Sequence, residues 1–498
     1  MSRDEAERTI DERWLQTLRH GYTDVLPIVE DRRSFDAEWV DGHWSHDMRP
    51  QSQAVAPPGA AGRAGRRILA AAFWLVIATS LALWWFNTPA GSINDTSSLF
   101  LAIGRITGMV GGVVLLLQIL SMSRVGLLER LIGSHDLMVW HRELGGYLLT
   151  MILTHMAATI VGYAAGAQVP ILRQTWSMVT ADLDMITASV ATVLLVVVAL
   201  MSVRWLRRKM SYERWYHLHL TSYLVVILGY GHQFSAGQEL MGSGFGQVFW
   251  NALYVFVAGC LLWGRVIGPL WLNARHRLRI VEVVAEAPDM VSLYIGGRRL
   301  GSLNARAGQY FRWRFLTRGR WWQAHPFSLS AAPNGEWLRL TVKMVGDHTR
   351  GLQHLREGVR VFAEGPSGVF TADRSVRLRA LLIAGGSGIA PIRALLEDLP
   401  PGTIMIYRAR SADEVLFREE LEWLARERGA FIWFVLGGRD EPGPRNLFTP
   451  KGLQDLVPDV TRRDVFLCGP PGLVGASVKV LRRLRIPRRQ IHLDPFEF

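Results

Sequence analysis

Residues 137–163 read LMVWHRELGGYLLTMILTHMAATIVGY, an apolar stretch that contains His141 and His155. It is long enough to cross the roughly 30 Å hydrocarbon core of a bilayer as a helix. A later apolar stretch contains His219 and His232. Ionisable side chains are costly at membrane depth, where they usually face a cofactor, an ion path or each other. Two histidine pairs on two helices therefore predict two stacked haems.

The spacing of the first pair supports iron ligation. At about 100° per residue, the 14 positions from His141 to His155 end about 40° from a whole number of turns, so both side chains share one face, about 21 Å apart. Neutral imidazole is a good axial iron ligand, and two facing helices can each supply one ligand to a haem. We therefore expect His141 to pair with His219, and His155 with His232, around two b-type haems.

The spacing of the second pair is less regular. The 13 positions from His219 to His232 end much further round the helix, which predicts a local unwinding or bulge, expected at Gly229 and Gly231. His217 is an alternative to His219 as the ligand. For any one of these histidines taken alone, a hydrogen bond within the core is the alternative role.

Six apolar stretches predict a multi-pass helical membrane domain over residues 67–272. They are Ile68 to Phe86, Leu99 to Met122, Leu137 to Tyr163, Met185 to Leu206, Trp215 to Phe234 and Phe245 to Leu270. Basic residues cluster before the first stretch, between the fourth and fifth, and after the sixth, whereas the opposite loops contain only Arg173. The positive-inside rule therefore predicts a cell-membrane protein with both termini in the cytoplasm. Arg105, on the second helix, is expected near the propionates of the outer haem, or else as an interfacial side chain.

Charge and cysteine content narrow the class of protein further. The formal net charge is +13, and arginines next to an anionic leaflet explain it better than nucleic-acid binding does. Two cysteines, Cys260 and Cys468, provide no disulfide framework. Residues 1–66 are polar with a Pro/Ala/Gly run, which predicts a disordered cytosolic tail without a cleavable signal.

The C-terminal half has two further patterns. Residues 273–376 alternate short β-rich runs with turns, which predicts a small antiparallel barrel. Residues 377–498 repeat strand, glycine loop and helix, and the clearest instance is the strand Leu381 to Ala384 followed by Gly385-Gly386-Ser387-Gly388-Ile389-Ala390-Pro391. This repeating pattern is typical of a parallel α/β sheet that binds phosphate at a helix N-terminus. The glycine loop taken alone is also typical of an ordinary strand-to-helix turn.

Arg408 and Arg410 follow the next strand. A guanidinium at this place can grip a ribose 2′-phosphate, which favours NADPH over NADH. Because the sequence is rich in arginine, two surface side chains are the alternative interpretation.

Further motifs occur in a fixed order along this half. They are His325-Pro326-Phe327-Ser328, Gly346-Asp347-His348-Thr349, Gly365-Pro366-Ser367-Gly368, the glycine loop, Cys468-Gly469-Pro470-Pro471 and the terminal Phe496-Glu497-Phe498. In this order they resemble the ferredoxin-NADP reductase superfamily. Together with the histidine-bearing helices, residues 68–498 resemble ferric reductases and NADPH oxidases, particularly their bacterial relatives.

The resemblance implies roles in flavin binding for several residues. Phe327 would pack on the FAD ring, Ser328 would hydrogen-bond near its reactive nitrogen, and His325, preceding Pro326, would lie close to the ribityl or phosphate. Gly346 would let the backbone approach the pyrophosphate, and Thr349 would cap the helix that faces it.

The resemblance also implies roles near the nicotinamide. Cys468, followed by Gly469 and Pro470, would lie beside it and leave room for hydride transfer. Phe498 would cover the flavin face that the nicotinamide must reach. The glycine loop would hold the nucleotide phosphates, with alanine where relatives usually have threonine.

These expectations describe a transmembrane enzyme that passes electrons from cytosolic NADPH through FAD and two haems to an outer acceptor. The acceptor would be oxygen, a ferric chelate or a partner redox protein. One alternative is a membrane-anchored flavin reductase that serves a cytosolic carrier such as ferredoxin. A second alternative, an ion conduit regulated by nucleotide, lacks the internal repeat that is typical of transporters.

Overall fold

The computed structural model describes residues 25–27, 60–235, 244–438 and 440–495. It divides into two compact units, which we call the helical unit (Ala61–Gly268) and the C-terminal unit (Pro269–Phe498 with Met1–Ala60). The division lies four residues before the boundary expected at residue 272.

Long helices make up the helical unit. They and their shorter neighbours are α1 (Ala60–Asn87), α2 (Thr96–Ser121), α3 (Gly126–Leu131), α4 (Ser134–Ala167), α5 (Ile171–Val179), α6 (Leu183–Ser202), α7 (Arg204–Arg207), α8 (Tyr212–Leu220), α9 (Ser222–Ser235), α10 (Gly244–Leu262) and a π-helical turn (Trp263–Ile267). Helix α11 (Gly268–His276) follows directly and begins the C-terminal unit. Among the described residues, five helices are long and apolar enough to cross a membrane: Arg67–Asn87, Thr96–Ser121, Ser134–Ala167, Leu183–Ser202 and Gly244–His276.

The fifth predicted span is a broken helix. Helix α8 ends at Leu220 and α9 begins at Ser222, so neither piece alone has the length of a span. The Thr221 backbone N–H donates to Leu218 O at 3.1 Å, and the Thr221 hydroxyl donates to the same oxygen at 2.7 Å. A threonine side chain that bonds to the backbone competes with the regular helical ladder.

This interruption lies between His219 and His232, as their spacing predicts. Its expected place at Gly229 and Gly231 was wrong, because α9 continues through both glycines and the break is at Thr221.

Helices α2 and α4 approach each other closely. The space that a Cβ would take at Gly104 holds the Thr159 hydroxyl, and at Gly162 it holds the side chain of Leu101. The Ser97 hydroxyl donates to Gly162 O at 2.8 Å. Small residues and interhelical hydrogen bonds are the usual means of helix association in membranes, so this pair forms a firm frame for the histidines on α4.

The first part of the C-terminal unit is antiparallel. Its strands are β2 (Arg279–Ala287), β3 (Met290–Gly296), β4 (Tyr310–Phe315), β5 (His325–Ser328), β6 (Trp337–Lys343) and β7 (Val361–Ser367), with the one-turn helix α12 (Asp347–Arg350). They form two three-stranded sheets, β2-β3-β6 and β5-β4-β7, where the sequence predicts a barrel. Single bridges, Arg279–Arg360 and Leu329–Leu340, connect the sheets. Alternating apolar residues such as Phe311, Trp313 and Phe315 fill the core between them.

The second part is a parallel α/β sheet. Its elements are β8 (Arg379–Gly385), α13 (Ile389–Asp398), β9 (Ile404–Arg408), α14 (Arg418–Arg428), β10 (Phe431–Val435), α15 (Pro442–Leu447), α16 (Pro450–Leu456), β11 (Arg463–Gly469), α17 (Pro471–Arg483) and β12 (Ile491–Pro495). The strand order is β10-β9-β8-β11-β12, with all neighbours parallel. The glycine loop and Cys468 lie at the carboxyl ends of adjacent strands, where ligands bind in open sheets of this kind.

One strand lies in the segment for which the composition predicts no order. Strand β1 (Val25–Pro27) pairs antiparallel with β10 at the edge of the sheet, with Val25 opposite Val435. The edge strand of a sheet has unpaired backbone N–H and C=O groups, which can form hydrogen bonds with a further extended segment. The expectation of a tail without structure was therefore wrong at these three residues, and also at residues 60–66, which form the start of α1.

Candidate functional site

The histidines of the helical unit meet in the two expected pairs. The ring centroids of His141, on α4, and His219, on α8, are 5.8 Å apart. Those of His155, on α4, and His232, on α9, are 6.2 Å apart. His217 is exposed and contacts the ring of Tyr216, so the ring that faces His141 is that of His219.

Hydrogen bonds determine which nitrogen of each α4 histidine could bind a metal. The Nδ1 atom of His141 is 3.1 Å from Gln118 O, and Nδ1 of His155 is 2.8 Å from Gly104 O. A carbonyl oxygen only accepts, so each Nδ1 carries the proton and Nε2 keeps its lone pair. Metal-bound histidines are commonly held in this way, by a backbone carbonyl on the second nitrogen.

These pairs fit a haem iron. Two metal–nitrogen bonds of about 2 Å place the ligating nitrogens about 4 Å apart and the ring centroids about 6 Å apart. The observed separations of 5.8 and 6.2 Å agree with this value. The Nδ1 atom of His232 is buried and has no hydrogen-bond partner among the described residues. A porphyrin supplies the other four iron ligands, so two histidines per site are enough.

Helix α2 packs closely against the ring of His155. A Cβ at Gly108 would lie 2.7 Å from His155 Nδ1 and 3.0 Å from its Cε1, so only glycine leaves room for this ring. Arg105 follows Gly104, whose carbonyl oxygen contacts His155 Nδ1. Arg105 therefore lies at the same depth in the helical unit as the His155–His232 pair. Its expected role at a propionate stays a prediction.

Strand β5 carries the residues expected to contact a flavin. His325 and Phe327 lie on the same face of the strand, with nearly parallel rings (14°) whose centroids are 6.2 Å apart. The Trp313 indole N–H donates to Phe327 O at 3.1 Å and so anchors the backbone after Pro326. Burial lowers the pKa of His325, which leaves its ring neutral at neutral pH.

Ser328 and Cys468 converge on a residue that the sequence did not single out, Asp494. The Ser328 hydroxyl donates to Asp494 Oδ2 at 3.4 Å, and the Cys468 thiol donates to Asp494 O at 3.2 Å. Burial raises the pKa of the Asp494 carboxyl to about 6, and it raises the pKa of the Cys468 thiol well above its usual value. The site therefore holds a neutral thiol beside a carboxyl group that can carry a proton near physiological pH.

The glycine loop packs directly on the strand end that carries Cys468. The space that a Cβ would take at Gly388 holds Cys468 O and the adjoining Gly469 N. Gly386 has φ +54°, a left-handed conformation that favours glycine. Gly385 ends β8, and helix α13 begins directly after the loop, so its first N–H groups point towards the sheet edge. Pro391 lies in the first turn of α13, where a missing N–H costs nothing.

The motif around Gly346 forms a tight turn. The Thr349 hydroxyl accepts the N–H groups of Val345 and Gly346, each at 3.0 Å, and so caps α12 from within. A Cβ at Gly346 would meet nothing within 4 Å, so the backbone is open to a ligand there.

The two arginines after β9 differ in their surroundings. The Arg408 guanidinium donates to Val435 O at 3.2 Å and also to Ala409 O and Gly437 O. Arg410 is exposed. Of the two, Arg410 therefore has the side chain better placed to meet a 2′-phosphate. Pro470 precedes α17 as its N-cap residue, and Phe498 lies outside the described residues.

Comparison with known proteins identifies the class of each unit. The ferric reductase-like transmembrane component family matches residues 107–230, an FAD-binding domain family matches 275–371, and an oxidoreductase NAD-binding domain family matches 382–479. The chain thus has the architecture of ferric reductase and NADPH oxidase-like membrane proteins with a ferredoxin-NADP reductase-type C-terminal module. The resemblance predicted from the motif order is confirmed.

Individual relatives match the C-terminal module. An NADPH oxidoreductase of Mycobacterium tuberculosis is 29% identical over 239 residues, which are 46% of this chain and 62% of the relative. A glycine betaine monooxygenase reductase subunit of Pseudomonas aeruginosa is 23% identical, over 45% of this chain and 65% of its own length. The chain thus spans less than two thirds of either relative.

A solved structure also matches this module. The FAD/NAD-binding domain of nitric oxide dioxygenase from Vibrio cholerae is 24% identical and covers 44% of this chain and 98% of that domain, with a TM-score of 0.38.

Proposed function

We propose that this protein is an NAD(P)H-dependent flavocytochrome that passes electrons from cytosolic NADPH through FAD and two b-type haems to an acceptor on the outer side of the membrane. The observation that carries the proposal is the pairing of His141 with His219 and of His155 with His232, at 5.8 and 6.2 Å, in a chain that also has FAD- and NAD-binding domains. Two iron sites about 21 Å apart along α4 make a two-step path through the hydrocarbon.

The residues of the C-terminal unit would bind the flavin and the nicotinamide nucleotide from which the electrons come. A bound flavin supplies the exchange between two-electron and one-electron chemistry. Phe327 offers an aromatic surface and Ser328 a hydroxyl beside it. Cys468 is small and protonated, so it leaves space for a nicotinamide without bringing charge to it. The Asp494 carboxyl, with a pKa of about 6, can take up and release a proton next to Ser328 near that pH.

The proposed topology has six spans, with both termini and the C-terminal unit in the cytoplasm. Helices α8 and α9 together make the fifth of these spans in chain order, interrupted at Thr221. The distribution of basic residues supports this orientation. The outer acceptor is a small diffusible oxidant, either oxygen or a ferric chelate, which receives electrons from the His155–His232 site.

A second function is favoured by the relatives of the C-terminal module. One of them, 29% identical over 44% of this chain, is the ferredoxin reductase component of a 3-ketosteroid-9-alpha-monooxygenase from Mycolicibacterium smegmatis. By this analogy the helices would anchor a flavin reductase that serves a cytosolic carrier, and the histidines would be structural. The two functions differ in whether haem is bound and reduced.

Anaerobic reduction distinguishes the two functions. NADPH is added to the purified full chain in detergent, and flavin bleaching and the haem α band are followed together. We expect flavin and then haem reduction, and reoxidation of the haem when oxygen or ferric citrate is admitted. Bleached flavin with no haem band would support the anchored reductase. In His155→Ala, flavin reduction should persist while half of the haem signal is lost.

A further inference from the structure

Trp215 stacks on one of the paired histidines. Its ring lies 5.0 Å from the ring of His219, centroid to centroid, with an interplanar angle of 20°. The Arg207 guanidinium carbon lies over the Trp215 ring, 4.5 Å from its centroid. Arg207, Trp215, His219 and His141 therefore form a continuous series of contacts across the helical unit.

The local sequence explains this stack. Trp215 and His219 are four positions apart on α8, so their side chains are neighbours on one face of the helix. The Ser211 hydroxyl accepts the N–H of Arg214 and caps the start of α8. Arg207 ends α7, and its cation favours the face of an indole ring.

His219 needs such a support more than its partner does. Nδ1 of His141 is held by Gln118 O at 3.1 Å, whereas among the described residues Nδ1 of His219 reaches Ser202 Oγ at 3.5 Å, the outer limit of a hydrogen bond. His219 also lies two residues before the break at Thr221. Backbone and hydrogen bonding thus leave its ring weakly constrained, and the Trp215 stack adds a contact that can fix its plane.

We propose that Trp215, held in place by Arg207, is a positioning residue that sets the ring plane of His219 as an iron ligand. This inference rests on the proposed haem function of the His141–His219 pair. It concerns ligand geometry alone and involves no additional electron carrier.

The ring planes give the inference a spectroscopic consequence. The His141 and His219 planes are 75° apart, and those of His155 and His232 are 53° apart. The angle between axial imidazole planes governs the anisotropy of the low-spin ferric signal in electron paramagnetic resonance. The His141–His219 site should therefore give the more anisotropic of two signals, and the other site serves as an internal reference.

The test compares Trp215→Leu, which removes the stack, with Trp215→Phe, which keeps an aromatic ring. Spectra are recorded on the oxidised full chain in detergent. In Trp215→Leu we expect the more anisotropic signal to shift or to be lost to high spin, while the second signal is unchanged. In Trp215→Phe most of the original signal should return. The matched control is Trp205→Leu, since Trp205 is exposed and contacts Lys209; both of its signals should remain.

Each outcome has a distinct meaning. Two wild-type signals that persist unchanged in Trp215→Leu would overturn the inference and leave the proposed function intact. A wild-type chain without any low-spin haem signal would overturn the proposed function. If Trp215→Leu loses both haems, Arg207→Gln decides: a shift confined to the more anisotropic signal supports the inference, and an unchanged signal contradicts it.

Discussion

The buried ion pairs between the two parts of the C-terminal unit allow a quantitative prediction for Glu420→Gln. Arg339, on β6, donates to both Glu420 oxygens at 3.0 and 3.1 Å, and Arg393, on α13, contacts the same carboxylate. The three side chains are between 1% and 8% exposed. Burial opposes the ionisation of Glu420, but Arg393 and Arg339 more than compensate and hold its pKa below the usual value.

Replacing this carboxylate by an amide leaves two buried guanidinium groups with too little negative charge. Breaking a buried pair by removing one partner costs about 3–5 kcal/mol. For a unit of this size, about 2–4 °C per kcal/mol gives a fall in Tm of roughly 6–20 °C. Because the folded pKa of Glu420 is depressed, its contribution is present above the unfolded pKa and is lost as the pH falls through the folded value.

The assay follows the release of flavin fluorescence on heating the full chain in detergent. The matched control is Glu422→Gln on the same helix, since Glu422 forms an exposed pair with Arg418 that contributes at most about 0.5 kcal/mol. A Glu420→Gln midpoint within the small shift of the control would refute the view that this network holds the two parts together.

Three further predictions concern the sites themselves. Gly108→Ala should displace His155 and lower the haem content of the purified chain, whereas Gly259→Ala, where a Cβ meets nothing within 4 Å, should not; equal haem content would contradict the fit. The pKa of Asp494 is raised to about 6, so the free energy of unfolding of wild type should fall by about 1 kcal/mol as the pH rises from 5 to 8. Asp494→Asn should not show this fall, and urea titrations at pH 5 and at pH 8 would measure the difference. Arg410→Gln should raise KM for NADPH about tenfold and leave KM for NADH unchanged, since a charge-assisted hydrogen bond is lost; parallel changes would exclude a 2′-phosphate contact.

The histidine pairing could be predicted because it follows from helix periodicity alone. Residues 14 positions apart share a face whatever surrounds them, and matched depths on two helices then determine the partners. The break between His219 and His232 could be predicted for the same reason. Its place at Thr221 could not, because it depends on a side-chain hydrogen bond to Leu218 that competes with the helix.

In the C-terminal unit, the sequence motifs include Ser328 and Cys468 but not Asp494, the residue that both of them contact. Asp494 lies opposite Cys468 because β12 runs parallel to β11 in one register, and register between strands separated by a helix is a tertiary property. The available signal was an acidic residue in the short strand Ile491–Pro495, at the end of the α/β repeat. Arg408 shows the reverse case: its position after a strand suggested a ligand contact, and its guanidinium instead binds backbone carbonyls.

The haem-to-flavin ratio of the purified, iron-replete chain decides whether the two histidine pairs hold haem. Pyridine haemochrome and released flavin are measured on the same sample, for wild type and for His141→Ala and His155→Ala. We expect two b-type haems per flavin in wild type and one in each variant. A wild-type chain that binds flavin but no haem would contradict this expectation.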